Sequence, residues 1–172
     1  MRLRSVTIEE WDEKLAQPSA GQYTISALRP VLAEWVNRRH GSLSYRLTQV
    51  LSGHGCFGKY LCRIGREENE SCHHCDAETD TAAHTLAVCP AWEEERQNTV
   101  ATLGVQDLEL STVLDKMVES EAAWQAVAEF CEAVMETKEE AERVREATST
   151  VPSRRARNVR RRRRANMDLR PP

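Results

Sequence analysis

"SCHHCDAETDTAAHTLAVCP", Ser71 to Pro90, gathers three cysteines and three histidines into twenty residues of a chain otherwise dominated by charge and helical patterning. Cys72, Cys75, His84 and Cys89 fit C-x2-C-x8-H-x4-C, a spacing that can set three thiolates and one imidazole around a tetrahedral Zn2+. Thr81 is placed to cap a short helix from Ala82 to Val88 that carries His84 in its first turns. On a continuous helix His84 and Cys89 would stand roughly 140° apart, at about 100° per residue. Pro90 disfavours helical geometry at the residue before it, so the chain is expected to turn at Cys89 and return its sulfur to the metal. Four protein donors leave no position for an activated water, and the spacing therefore predicts a metal that builds rather than reacts. Structural zinc contributes an apparent ~10–16 kcal/mol in finger peptides, enough to offset the backbone entropy of about ten residues. Two alternatives stand beside this set. His73, His74, His54, Cys56 or Cys62 could replace a ligand, or the cluster could be ordinary reduced cysteines and surface histidines.

Upstream, the apolar spacing is helical. From Pro30, Leu32, Trp35 and Val36 share a face and Gly41 reads as a stop. Leu43, Leu47, Val50 and Leu51 form the next stripe, ended by Gly53, and Phe57, Tyr60, Leu61 and Ile64 a third, closed by Gly65. Downstream, "PAWEEERQNTVATLG" begins with proline, sets three glutamates at a helix N-terminus and stops at Gly104. A helix over Leu110 to Val118 follows. Ser120 then caps a long one with Trp124, Val127, Cys131, Val134 and Met135 on one face. Beyond Met135 that helix is charged on nearly all sides and reads as solvated, or as a surface for pairing with another helix through residues 120–147. Residues 1–25 show little pattern beyond a short helix near Glu9 to Leu15 and a turn at "QPSAGQ".

The expected fold is mainly α: short helices flanking a small zinc knuckle, a long C-terminal helix and a disordered Arg-rich tail. The organisation read from the sequence is a poorly patterned segment 1–29, a helical segment 30–66, the knuckle with its following helix 67–104, a helical hairpin with a long acidic helix 105–148, and a basic tail 149–172. That tail cannot bury enough apolar surface to offset the entropy of ordering it.

The net charge of −3 conceals a strong asymmetry. Residues 91–150 carry 5 basic and 15 acidic side chains, whereas residues 151–172 carry 9 and 1. The tail arginines, Arg154, Arg155, Arg157, Arg160, Arg161, Arg162, Arg163 and Arg164, suit phosphate contact or a nuclear-import signal. No aromatic side chain is interleaved among them, so they offer no base stacking. Arg38, Arg39, Arg46, Lys59, Arg63 and Arg66, on the helices before the knuckle, are further candidates for phosphate contact. No apolar run approaches the ~18 residues of a membrane span, and the N-terminus lacks a signal-peptide core. An intracellular protein, nuclear or cytoplasmic, with reduced cysteines is expected. No glycine-rich phosphate loop, G-x-S-x-G or metal-nuclease pattern is present, so no catalytic residue is assigned.

"LAEWVNRRHGSLSYRLTQVLSGHGCFGKYLCRIGREENESCHHCDAETDTAAHTLAVCPAWEEER", Leu32 to Arg96, resembles the C-terminal region of the Pol polyprotein in arthropod non-LTR retrotransposons of the type-1, ribosomal-DNA-inserting clade. The resemblance extends more loosely through "WQAVAEFCEAVMETKEEAERVRE" and the arginine-rich end. It implies a parent with endonuclease and RNA-directed DNA polymerase domains upstream of this region. It also implies a cysteine-histidine motif, matched by Cys72, Cys75, His84 and Cys89, that holds element RNA or target DNA. The competing expectation is a zinc-folded interaction or nuclear-import module that acts by self-association.

Overall fold

Residues 2–149, which the computed structural model describes, form nine α-helices and two single 3-10 turns joined by loops, with no strand. The mainly α expectation holds; the tail arginines from Arg154 to Arg164 lie outside the described residues. The order is α1 (Arg2–Leu15), α2 (Gln22–Leu28), α3 (Leu32–Asn37), α4 (Tyr45–Ser52), α5 (Gly58–Arg63), α6 (Ala82–Ala87), α7 (Glu93–Leu103), α8 (Leu110–Glu119) and α9 (Glu121–Thr148). Among the described residues no helix is long and apolar enough to cross a membrane.

Helix α9 is the spine. Its apolar face, Trp124, Val127, Phe130, Cys131, Val134 and Met135, is buried against α4, α7 and α8. Ser120 caps it, accepting from the Ala123 amide at 3.1 Å. The charged second half of α9 is not solvated on all sides: Glu136, Glu140, Arg143 and Val144 are exposed, but one face turns inward. Lys138 and Glu142 are buried within the fold, and Glu139 and Glu146 engage residues of the α4 to α5 region. Periodicity could not reveal this because every inward charge is matched by a charge distant in sequence.

The N-terminal half departs from expectation in detail. The first helix spans Arg2–Leu15, and α2 fills a stretch that carried no clear pattern. Arg29 grips Asp12 through Nε to Oδ1 at 2.7 Å and so ties α1 to the end of α2. Helix α3 ends at Asn37 rather than running to Gly41, because Arg38 turns extended, with ψ 149, and lays its guanidinium over both Trp35 and Trp124. Gly41 then passes over the Trp124 ring with φ +75; a Cβ there would lie 2.1 Å from the indole. Leu43 is consequently displaced from the core stripe and half exposed, and α4 starts only at Tyr45 under a Ser44 cap.

Candidate metal centre

Local chain geometry delivers each donor. Cys72 and Cys75 sit in a tight loop closed by the Cys72 amide donating to the Ala77 carbonyl at 2.9 Å. Thr81 caps α6 as expected, its hydroxyl accepting from the His84 amide at 3.0 Å. Helix α6 ends after Ala87. Cys89 is extended, with φ −58 and ψ 119, as the following proline demands, and its amide turns back to the His84 carbonyl at 2.8 Å. The turn brings the Cys89 sulfur to 4.0 Å from that of Cys72, and His84 Nε2 stands 3.3 Å from the Cys75 sulfur. All four donor atoms lie within 4.8 Å of one another, so the group could hold a metal ion. It is the only such Cys/His/carboxylate group among the described residues.

Cys72 and Cys89 are buried, while Cys75 and His84 are partly accessible. Burial pushes the Cys72 thiol up and the Cys89 thiol to about 12, and it lowers the basicity of His84. In the absence of a cation these groups are therefore neutral thiols and neutral imidazole. A metal would bind by displacing thiol protons, with the imidazole already in its ligating form.

The nearby substitutes are engaged elsewhere. His73 Nε2 meets Glu67 at 3.2 Å, and the His74 ring packs on Trp92 with centroids 4.9 Å apart, where burial depresses its pKa to about 4. His54 packs edge-on to Tyr60. Cys56 and Cys62 stand outside the four-donor group.

Two residues that carried no motif signal hold the segment in place. Arg96, 5% exposed, reaches back from α7, donating from Nε to the Leu86 carbonyl at 2.8 Å and from Nη2 to the carbonyl of Cys89 itself. Asp80, 2% exposed, accepts from the Gly58 amide at 3.0 Å and from Lys138 Nζ at 2.8 Å. The Asp80 carbonyl also accepts from the Lys59 amide, and the Asp80 amide donates to the Glu70 carbonyl at 2.7 Å. Gly58 is required at this junction: a Cβ would meet the Glu70 and Ser71 carbonyl oxygens at 2.5 Å. The ligand-bearing segment is thus clamped between α5 and the far half of α9.

The candidate phosphate contacts divide. Arg46 is held by Glu132, Glu136 and Glu139, Arg66 by Glu142 and Glu146, and Arg38 by the two tryptophans. These three are occupied inside the fold. Arg39, Lys59 and Arg63 are exposed. Comparison of the chain with protein-family models, with curated proteins and with solved structures returned no match.

Proposed function

We propose that the chain is a zinc-folded nucleic-acid-binding module, the C-terminal part of a non-LTR retrotransposon polyprotein. The observation that carries the metal assignment is the convergence of Cys72, Cys75, His84 and Cys89. Metal–sulfur and metal–nitrogen bonds of about 2.3 and 2.0–2.1 Å in a tetrahedron require donor separations of about 3.6–3.8 Å. The 4.0 and 3.3 Å separations bracket that range. Three soft thiolates and an imidazole favour zinc over magnesium or calcium. With every position filled by protein, the ion serves to order residues 71–92, a segment whose own apolar support is little more than Leu86 and Trp92.

The nucleic-acid reading is supported by exposed Lys59 and Arg63 on α5, next to the clamped metal segment, and by the eight arginines from Arg154 to Arg164. Element RNA or target DNA are its partners, with polymerase and endonuclease domains of the parent polyprotein, in an intracellular setting. The second reading, an interaction or import module without nucleic-acid specificity, draws on the internal pairing of Arg46 and Arg66, which removes two cations from any phosphate surface.

Metal content by native mass spectrometry tests the centre: one zinc per chain is expected, and it is lost in Cys72→Ser and His84→Ala. Gel-shift titration of the zinc-loaded chain against element RNA over a range of salt tests the binding. Five phosphate contacts would give a slope of log affinity on log salt near −4. A chain that loads zinc and self-associates but leaves RNA unshifted belongs to the second reading.

A further inference from the structure

A cleft of about 560 Å3 opens between the start of α2, the Ser52 to His54 turn and α5. Its volume lies within the ~300–1,000 Å3 of small-molecule sites. The charge of its lining sets it apart from the rest of this acidic protein. Lys59, Arg63 and His54 contribute, and none of the 27 Asp and Glu residues does. Among the described residues neither Lys59 nor Arg63 is paired with a carboxylate, whereas Arg29, Arg46, Arg66, Arg96, Lys138 and Arg145 all are. Asp80, which immediately precedes Thr81 of the lining, is neutralised by Lys138 beneath the cleft floor at Phe57.

Planar groups stand beside the cations. Arg63 lies over the Tyr60 ring at 5.0 Å, and the His54 ring meets the same tyrosine at 80°, with centroids 5.0 Å apart. Cations alone would serve duplex and single strand alike, because both present phosphates. A concave site that adds stacking surfaces favours a strand whose bases are free to leave the stack. Periodicity along α5 gave no sign of this, because His54 and the α2 wall come from other elements.

We infer that this cleft is a subsite for one unpaired nucleotide of a single-stranded nucleic acid, with the phosphate held by Lys59 and Arg63 and the base stacked against Tyr60 and His54. The inference rests on the nucleic-acid reading above and specifies where within the fold that binding occurs. The test uses the full zinc-loaded chain, a fluorescein-labelled uridine octamer, the same octamer annealed to its complement, and a long element RNA. The octamer is expected to bind more tightly than its duplex. In Lys59→Ala/Arg63→Ala its affinity should fall at least about tenfold, and the salt slope should become shallower by about 0.7, the share of the one single-strand phosphate that the two side chains hold. Tyr60→Ala should weaken the octamer by about 5- to 150-fold, the cost of one lost base stack. Tyr60→Phe should keep near-native affinity, and zinc content shows which variants fold. Photocrosslinking of a 4-thiouridine octamer should mark the peptide from His54 to Arg63.

Three outcomes overturn the inference. One is a wild-type chain that binds long RNA while the double variant leaves octamer affinity unchanged; another is crosslinks confined to the arginine tail. In both, the nucleic-acid reading survives. The third is a chain that binds neither RNA nor octamer, in which case both fail together.

Discussion

The Lys138 ammonium and the Asp80 carboxylate form an ion pair 2.8 Å long with side chains only 1% and 3% exposed, joining the middle of α9 to the residue just before the cap of the helix that carries His84. Removing one partner of such a pair strands the other in a low-dielectric interior, at a cost of about 3–5 kcal/mol. Lys138→Met is therefore expected to lose that much stability in urea unfolding of the zinc-loaded protein, and to release zinc to a competing chelator more readily. A loss below about 1 kcal/mol would mean that the pair is solvated after all.

Arg96 is the counterpart on the other side of the centre. Its two bonds to the Leu86 and Cys89 carbonyls fix the turn that aims the Cys89 sulfur. Groups that orient ligands typically change metal affinity by ~10–100-fold when lost. Arg96→Ala should weaken zinc binding within that range in a chelator competition. The same substitution at exposed Gln97, one residue along α7, should leave it unchanged.

Gly41 has no tolerable substitute. Its φ of +75 and the 2.1 Å approach of a notional Cβ to Trp124 combine backbone strain with overpacking, worth about 2–4 kcal/mol together. Gly41→Ala should lower the melting temperature and shift tryptophan emission toward that of exposed indole. An unchanged spectrum would show that the 38–42 segment is not packed on Trp124.

Alkaline pH should weaken the fold through its core. Burial raises the Cys131 thiol above its ordinary 9.0 and the Tyr23 hydroxyl above 10.0. A group whose folded pKa is raised contributes fully below its unfolded pKa, and that contribution is lost as pH climbs toward the folded value. Stability of the zinc-loaded protein should hold to about pH 9 and decline above it. Cys131→Ala, though less stable at pH 7, should show a smaller further loss between pH 9 and 11. A parallel decline in the two proteins would place the titration elsewhere.

Arg46 and Lys59 should separate stability from binding. Arg46 is braced by three glutamates of α9, so Arg46→Ala should cost about 1 kcal/mol in unfolding and leave RNA affinity within twofold once the protein is folded. Lys59→Ala should do the reverse. Equal RNA losses in both would return Arg46 to the binding surface.

What could be read from the sequence follows the range of the interactions involved. The four donors, the Thr81 cap and the turn before Pro90 depend on residues within a few positions of each other, and the structure brings them together where spacing placed them. The apolar stripe of α9 was legible for the same reason. Lys138 and Glu142 were not, because their burial depends on Asp80, Arg66 and Arg145, with 58 residues separating Lys138 from Asp80. Arg38 read as a surface cation because nothing local signals that Trp124 will lie beneath it. The arginines thus fall into cations used inside the fold and cations left at its surface, a division that composition cannot make.

The distance between Asp80 and Lys138 also orders events during synthesis. The last donor, Cys89, is added to the chain before Lys138, and at ~5–20 residues per second the interval is on the order of seconds. A nascent chain therefore holds a complete set of ligands before it has the lysine that locks them to the body. A metal bound at Cys72, Cys75, His84 and Cys89 could then be captured early, but its retention would wait for α9, and a chain arrested before Lys138 would carry a site open to exchange.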